Sequence, residues 1–96
     1  SGEIYTGCNV ENASYGLSIC AERAAIFRAV RAGERRIRAV ANATSSGKAD
    51  FPCGASLQVM SEFAPGGEMA VYLATDDGVE EYTLAELFPH PFEITE

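Results

Sequence analysis

Ser18-Ile19-Cys20-Ala21-Glu22 and Pro52-Cys53-Gly54-Ala55-Ser56 are the two stretches on which the reading of this chain turns. Each opens a helix. Ser18 is a good N-cap before the Ala/Ile/Arg-rich run 20–32, and Pro52 suits a first helical position before 53–63. Two cysteines at helix N-termini face the positive end of aligned peptide dipoles, which favours the thiolate, the form that binds zinc. Glu22 lies two positions past Cys20 and does not share its helix face, so it is placed to move protons on a metal-bound water rather than to ligate. Taken without its surroundings, the cysteine pair would read as two small buried residues.

Outward from these stretches the chain alternates strand and helix. Glu3 to Val10 sets Ile4, Thr6, Cys8 and Val10 against Glu3, Tyr5, Gly7 and Asn9, a period-2 strand with Cys8 on its buried side. Residues 12–16 read as a turn leading to Ser18. The first helix carries Ala21, Ala24, Ala25, Ala29 and Val30 at helical spacing, a small inner face that lets it lie close to a sheet, and Gly33 is its C-terminal stop. Ile37 to Thr44 is a second strand, followed by a surface loop over 45–50. The second helix presents Leu57, Met60 and Phe63 and ends near Pro65-Gly66-Gly67. Met69 to Ala74 is an apolar strand, residues 75–78 a turn, and Val79 to Tyr82 a more polar strand suited to a sheet edge. Thr83-Leu84-Ala85-Glu86 fits a capping box that opens a last short helix before Pro89. This order predicts a single α/β domain over residues 1–96.

The bulk properties exclude several classes. Seven basic residues stand against fourteen acidic ones, a net charge of −7, and nothing after Lys48 is basic. Binding a polynucleotide needs a basic footprint to displace phosphate counterions, so a nucleic-acid partner is not expected. Six arginines, Arg23, Arg28, Arg31, Arg35, Arg36 and Arg38, fall in one segment, which reads as a solvated helix surface rather than a phosphate patch. No apolar run approaches a membrane span and no secretory signal is visible. Three cysteines, an odd number outside any secreted framework, point to reduced thiols in the cytosol.

The motifs taken together carry a resemblance. Cys20-Ala21-Glu22 followed by Pro52-Cys53-x-x-Ser56 is similar to the Cys-Ala-Glu and Pro-Cys-x-x-Cys signature of the zinc-dependent cytidine deaminases. Gly7-Cys8-Asn9-Val10-Glu11-Asn12-Ala13-Ser14-Tyr15, Cys20-Ala21-Glu22-Arg23-Ala24-Ala25-Ile26, Gln58-Val59-Met60 and Glu86-Leu87-Phe88-Pro89 resemble the small free-nucleoside members in order and spacing, over nearly the whole chain. The resemblance implies an α/β/α layered domain with a mixed sheet and a Zn2+ held at Cys20, Cys53 and position 56. It implies Glu22 as the proton carrier, the Ala21 backbone N–H as a hold on the pyrimidine carbonyl, and Asn9 and Glu11 as ribose ligands. Arg23 would offset the thiolate charge, while Tyr15 and Phe92 would shape the pocket, Phe92 from a neighbouring subunit. His90, between two prolines, has no role in this reading.

The implied activity is hydrolytic deamination of cytidine or deoxycytidine in pyrimidine salvage, by a cytoplasmic homo-oligomer, a tetramer in the family, acting on a small nucleoside. The rival expectations are a catalytically impaired deaminase-like protein with a binding or assembly role, and a deaminase of another aminated nucleoside. Two departures stand out. Position 56 is Ser where the family has its third zinc cysteine, and a neutral hydroxyl is a far poorer zinc ligand than a thiolate. The family also has a helix and an interior strand ahead of the segment matching Glu3, so the domain is expected to be N-terminally incomplete and to assemble with another chain.

Overall fold

A computed structural model describes residues 2–10, 13–14, 18–43, 47–48 and 51–92. Its elements run in the order α1 (Ala21–Arg31), β1 (Ala39–Asn42), α2 (Gly54–Glu62), a 3-10 turn (Pro65–Gly67), β2 (Ala70–Thr75), β3 (Gly78–Thr83) and α3 (Leu84–Leu87). The sheet is mixed. β1 runs parallel to β2, Ala39 opposite Ala70 and Asn42 opposite Leu73, because α2 forms the crossover that a parallel pair requires. β2 and β3 form an antiparallel hairpin from Ala70 opposite Thr83 to Thr75 opposite Gly78. Its turn is held by Thr75, whose hydroxyl accepts from the Asp77 N–H at 3.2 Å and donates to the Gly78 carbonyl at 3.1 Å.

One core joins the helices to the sheet. Ile26 of α1, Met60 of α2 and Leu84 of α3 pack with Met69, Val71 and Leu73, all buried. Each of the larger side chains contributes about 1.5–3 kcal/mol by leaving water. The α1 face differs from the expected alanine stripe. Ile26 and Ala29 are the buried apolar positions, and Ala21, Ala24 and Ala25 are half-buried. The helix turns Ile26 and Ala29 to the core and leaves its largest apolar residue, Phe27, half exposed.

The helix ends are legible in physical terms. α1 closes on a Schellman motif, in which the Gly33 N–H reaches the Val30 carbonyl and the Glu34 N–H the Ala29 carbonyl, both at 3.0 Å, with Gly33 at φ 105°. α3 has the full capping box: Thr83 Oγ1 accepts from the Glu86 N–H, and Glu86 Oε1 accepts from the Thr83 N–H. The N-termini of α1 and α2 differ from expectation by a residue or two. Their N-caps are Cys20 and Cys53, both extended, so Ser18 and Pro52 lie outside the helices and neither cysteine is within one.

The largest correction concerns Glu3 to Val10. Among the described residues this segment joins no sheet, and the one ladder contact found for it is an isolated bridge between Val10 and Ile19. Ile4 is 88% exposed and Cys8 is exposed, not buried. The alternation is present in the sequence, but among the described residues no strand lies beside the segment to supply a backbone ladder. It is instead laid along α1. Tyr5 Oη donates to Glu34 Oε2 at 3.1 Å and Arg28 Nη1 donates to Thr6 Oγ1 at 3.3 Å. Gly7 crosses the helix so closely that a Cβ there would stand 2.5 Å from Ala25 N and 2.7 Å from Ala21 O. Between this segment and the outer edge of β1 lies a cleft of about 760 Å³, lined by Ile4, Thr6, Glu22, Ile26 and Val40 among others. Among the described residues, β1 is paired on its β2 side alone.

Candidate metal centre and substrate site

The N-termini of α1 and α2 converge. Cys20 and Cys53, each the last extended residue before its helix, bring their sulfurs to 3.5 Å. Two sulfurs bound to one tetrahedral zinc at about 2.3 Å each would lie about 3.8 Å apart, so this separation fits a shared ion. Ser56, one turn into α2 and fully buried, places its hydroxyl 3.5 Å from Cys53 Sγ. The donor set brought together is therefore two thiols and one hydroxyl. Among the described residues, no group of three or more His, Cys, Asp or Glu side chains is placed to hold a metal. The chain's own residues fit the ion through two good donors and a weak third.

Electrostatics favour anionic sulfur here. The Ser56 hydroxyl, followed by backbone N–H groups of Ser56 and Ala55 at the start of α2, holds the Cys53 thiol below its usual range, against the opposing effect of burial. Arg23 lies on the other side of the pair. Its Nη2 is 3.6 Å from Cys20 Sγ and donates to the Ser18 carbonyl at 3.2 Å, and the bond to Cys20 raises the guanidinium further above its ordinary value. The Nε of Arg23 is buried without a hydrogen-bond partner, an arrangement that costs about 1–3 kcal/mol unless the guanidinium is held for its charge. The other five arginines of the cluster are exposed, as a solvated surface requires.

Glu22 is 8% exposed in the first turn of α1, a position where a carboxylate gains from the helix dipole but rarely loses its water. It borders the cleft beside β1, which reaches Ala21 and Glu22 but not the two sulfurs. Asn9, from the segment laid along α1, accepts a hydrogen bond on Oδ1 from the Ala21 N–H at 3.1 Å. Since Cys20 provides no side-chain cap, Asn9 satisfies an orphan donor of α1 from outside the helix. Asn9→Ala is expected to cost about 1 kcal/mol of stability, measured by urea denaturation, as for loss of a helix cap. An unchanged midpoint would show that water caps Ala21 equally well.

Glu11 and Tyr15 lie outside the described residues. Phe92 is well exposed and is fixed by a contact that the sequence did not reveal. Gln58 on α2 clamps its backbone at both ends, Nε2 donating to the Phe92 carbonyl at 2.8 Å and Oε1 accepting from the Phe92 N–H at 3.2 Å. A side-chain amide matches a backbone amide in this way only when tertiary folding sets them side by side, and no sequence pattern announces it. His90 is exposed and takes no part in the site.

Residues 1–73 match the family model described as the cytidine and deoxycytidylate deaminase zinc-binding region. Over 92 residues the chain is 46% identical to a cytidine deaminase from Sporosarcina psychrophila, covering 95% of this chain and 67% of that protein. It is 44% identical to a cytidine deaminase from Halalkalibacterium halodurans over a stretch covering 95% of this chain and 69% of that one. Among solved structures, the cytidine deaminase from Burkholderia pseudomallei superposes with a TM-score of 0.84 at 40% identity, over 95% of this chain and 73% of that one.

Proposed function

Because the chain belongs to the cytidine and deoxycytidylate deaminase family, we propose that it hydrolyses cytidine or deoxycytidine to the uridine product and ammonia, using zinc held at Cys20, Cys53 and Ser56. The observation that carries the reading is the pair of sulfurs at 3.5 Å, drawn from two helix N-termini, with a buried glutamate in the first turn of one of them. Zinc, when bound, polarises a water and makes it a nucleophile near neutral pH.

The remaining chemistry belongs to the chain. Glu22, shielded from bulk water, takes a proton from the attacking water, gives one to the pyrimidine ring nitrogen, and assists the departing ammonia as water adds at C4. Arg23 sets its positive charge beside Cys20 and offsets the anionic sulfurs. The Ala21 N–H holds the pyrimidine carbonyl, which requires Asn9 to release it. The freed Asn9 amide then turns to a ribose hydroxyl, with Glu11 as its companion. The substrate is a small nucleoside, and a net charge of −7 supports no nucleic-acid partner.

The same reading gives the chain a cytoplasmic place in pyrimidine salvage, as a homo-oligomer of the tetrameric kind. Exposed Ile4, Phe51 and Phe92 support an apolar contact with another chain. No helix among the described residues is long and apolar enough to cross a membrane. The cleft beside the open side of β1 supports a further strand, from the same or another polypeptide, as the completion of the sheet. Ammonia release from cytidine, deoxycytidine and a panel of other aminated nucleosides, run on protein with measured zinc content, tests the proposal. Release strongest from the first two is expected, and zinc-loaded protein that releases none from any of them would refute it.

A further inference from the structure

We propose that Cys20 and Cys53 also act as a reversible dithiol–disulfide pair, closed by hydrogen peroxide when no metal lies between them. The inference stands on geometry and goes beyond the deaminase reading. The sulfurs are 3.5 Å apart with no atom needed between them, and both are free thiols. A disulfide requires about 2.05 Å, so they must approach by about 1.5 Å. Each cysteine sits at an extended N-cap, outside the hydrogen-bonded body of its helix, so rotation need not displace α1 or α2.

Exposure orders the steps. Cys53 is exposed and Cys20 half-buried, so the peroxide meets Cys53 first. The thiol attacks one peroxide oxygen, the O–O bond breaks, and Cys53 sulfenic acid and one water result. Cys20 sulfur then attacks the sulfenic sulfur, the S–O bond breaks, and the second water leaves. In sum two thiols and one hydrogen peroxide become one disulfide and two waters, the thiols losing two electrons and the peroxide gaining them.

Ser56 makes the pairing unique. Its hydroxyl stands 3.5 Å from Cys53 Sγ, where a third thiol would compete as a partner, and it cannot itself be crosslinked. Cys8 is exposed on the segment that crosses α1 and has no sulfur partner among the described residues. The disulfide ties together the N-termini of α1 and α2 and leaves neither sulfur with the charge a metal needs. Oxidation and metal binding at this place exclude each other.

The test reads covalent state, not turnover, so its failure is distinct from failure of the deaminase reading. The full chain, stripped with EDTA, is treated with one equivalent of hydrogen peroxide, alkylated, and mapped by peptide mass spectrometry. The expected result is a Cys20–Cys53 crosslink, loss of two hydrogens in intact mass, one remaining alkylated thiol at Cys8, and full reversal by dithiothreitol. Cys8→Ser should crosslink as before, while Cys53→Ser should give none. Zinc added first should slow the reaction severalfold or more. Three alkylated thiols after treatment, a crosslink that includes Cys8, or sulfinic acid at Cys53 without a crosslink would each overturn the proposal.

Discussion

Glu22→Gln is expected to lower deamination by ~10²–10⁴-fold, the range typical of a lost general acid–base, while nucleoside affinity and zinc content stay close to those of the parent. The substitution keeps the side chain's length and shape and removes its capacity to carry a proton. Because Glu22 is almost wholly buried, water has little access to take over the transfer, which argues for the upper part of that range. Glu22 is also the only acidic residue in the first turn of α1, so a merely structural role has its own signature. Loss of a helix-dipole interaction alone would lower the melting temperature slightly and leave turnover intact. Steady-state kinetics with metal analysis on both forms separates the two, and unchanged turnover at equal zinc content would reduce Glu22 to a helix-end acid.

Ser56→Cys is expected to raise zinc affinity by more than the ~10–100-fold that residues supporting a ligand from outside the coordination shell command, because here a ligand itself is exchanged. Position 56 stands one turn past Cys53 on the same face of α2, and its side-chain oxygen is already 3.5 Å from the Cys53 sulfur. A thiolate at that point completes three sulfurs around one centre without moving the backbone. The opposing cost is steric. Ser56 is fully buried, and a sulfur larger than the oxygen it replaces must be taken up by packing, at about 1–3 kcal/mol if nothing relaxes. A thiolate–zinc bond outweighs that, so affinity should rise even if the metal-free protein loses stability. Competition with a chelator of known zinc affinity gives the first number, and ammonia release from cytidine gives the second. Equal zinc affinity in the two forms would mean that Ser56 is not at the metal.

Two residues show how tertiary contacts changed what local pattern implied. Asn9 reads from sequence as a strand-end residue and by resemblance as a ribose ligand, yet it caps Ala21. A capping partner twelve residues away obeys no helical spacing, so only the fold could reveal it. Arg23 looks like one more member of an arginine run until it is seen beside Cys20 with Nε buried and unpartnered, while its five neighbours in that run are exposed.

Local chemistry in the sequence by itself determined most of the elements. Turn residues and caps mark where α1 and α3 end or begin, since Gly33 and Thr83-x-x-Glu86 satisfy backbone groups within a few residues of themselves. The Cys-Ala-Glu and Pro-Cys stretches pointed to the family, to which the chain belongs, because ligand chemistry admits few residue types. Tertiary structure alone decided three matters, each dependent on partners distant in the chain. It set the two sulfurs 3.5 Å apart by bringing two helix starts together. It turned Ile26 to the core together with Ala29 alone of the expected alanines, because the sheet below α1 offered Val71 and Leu73 to pack against. It left Glu3 to Val10 outside the sheet of the described residues, because a strand exists only where a neighbouring backbone completes its hydrogen bonds, and alternation in one segment cannot supply that neighbour.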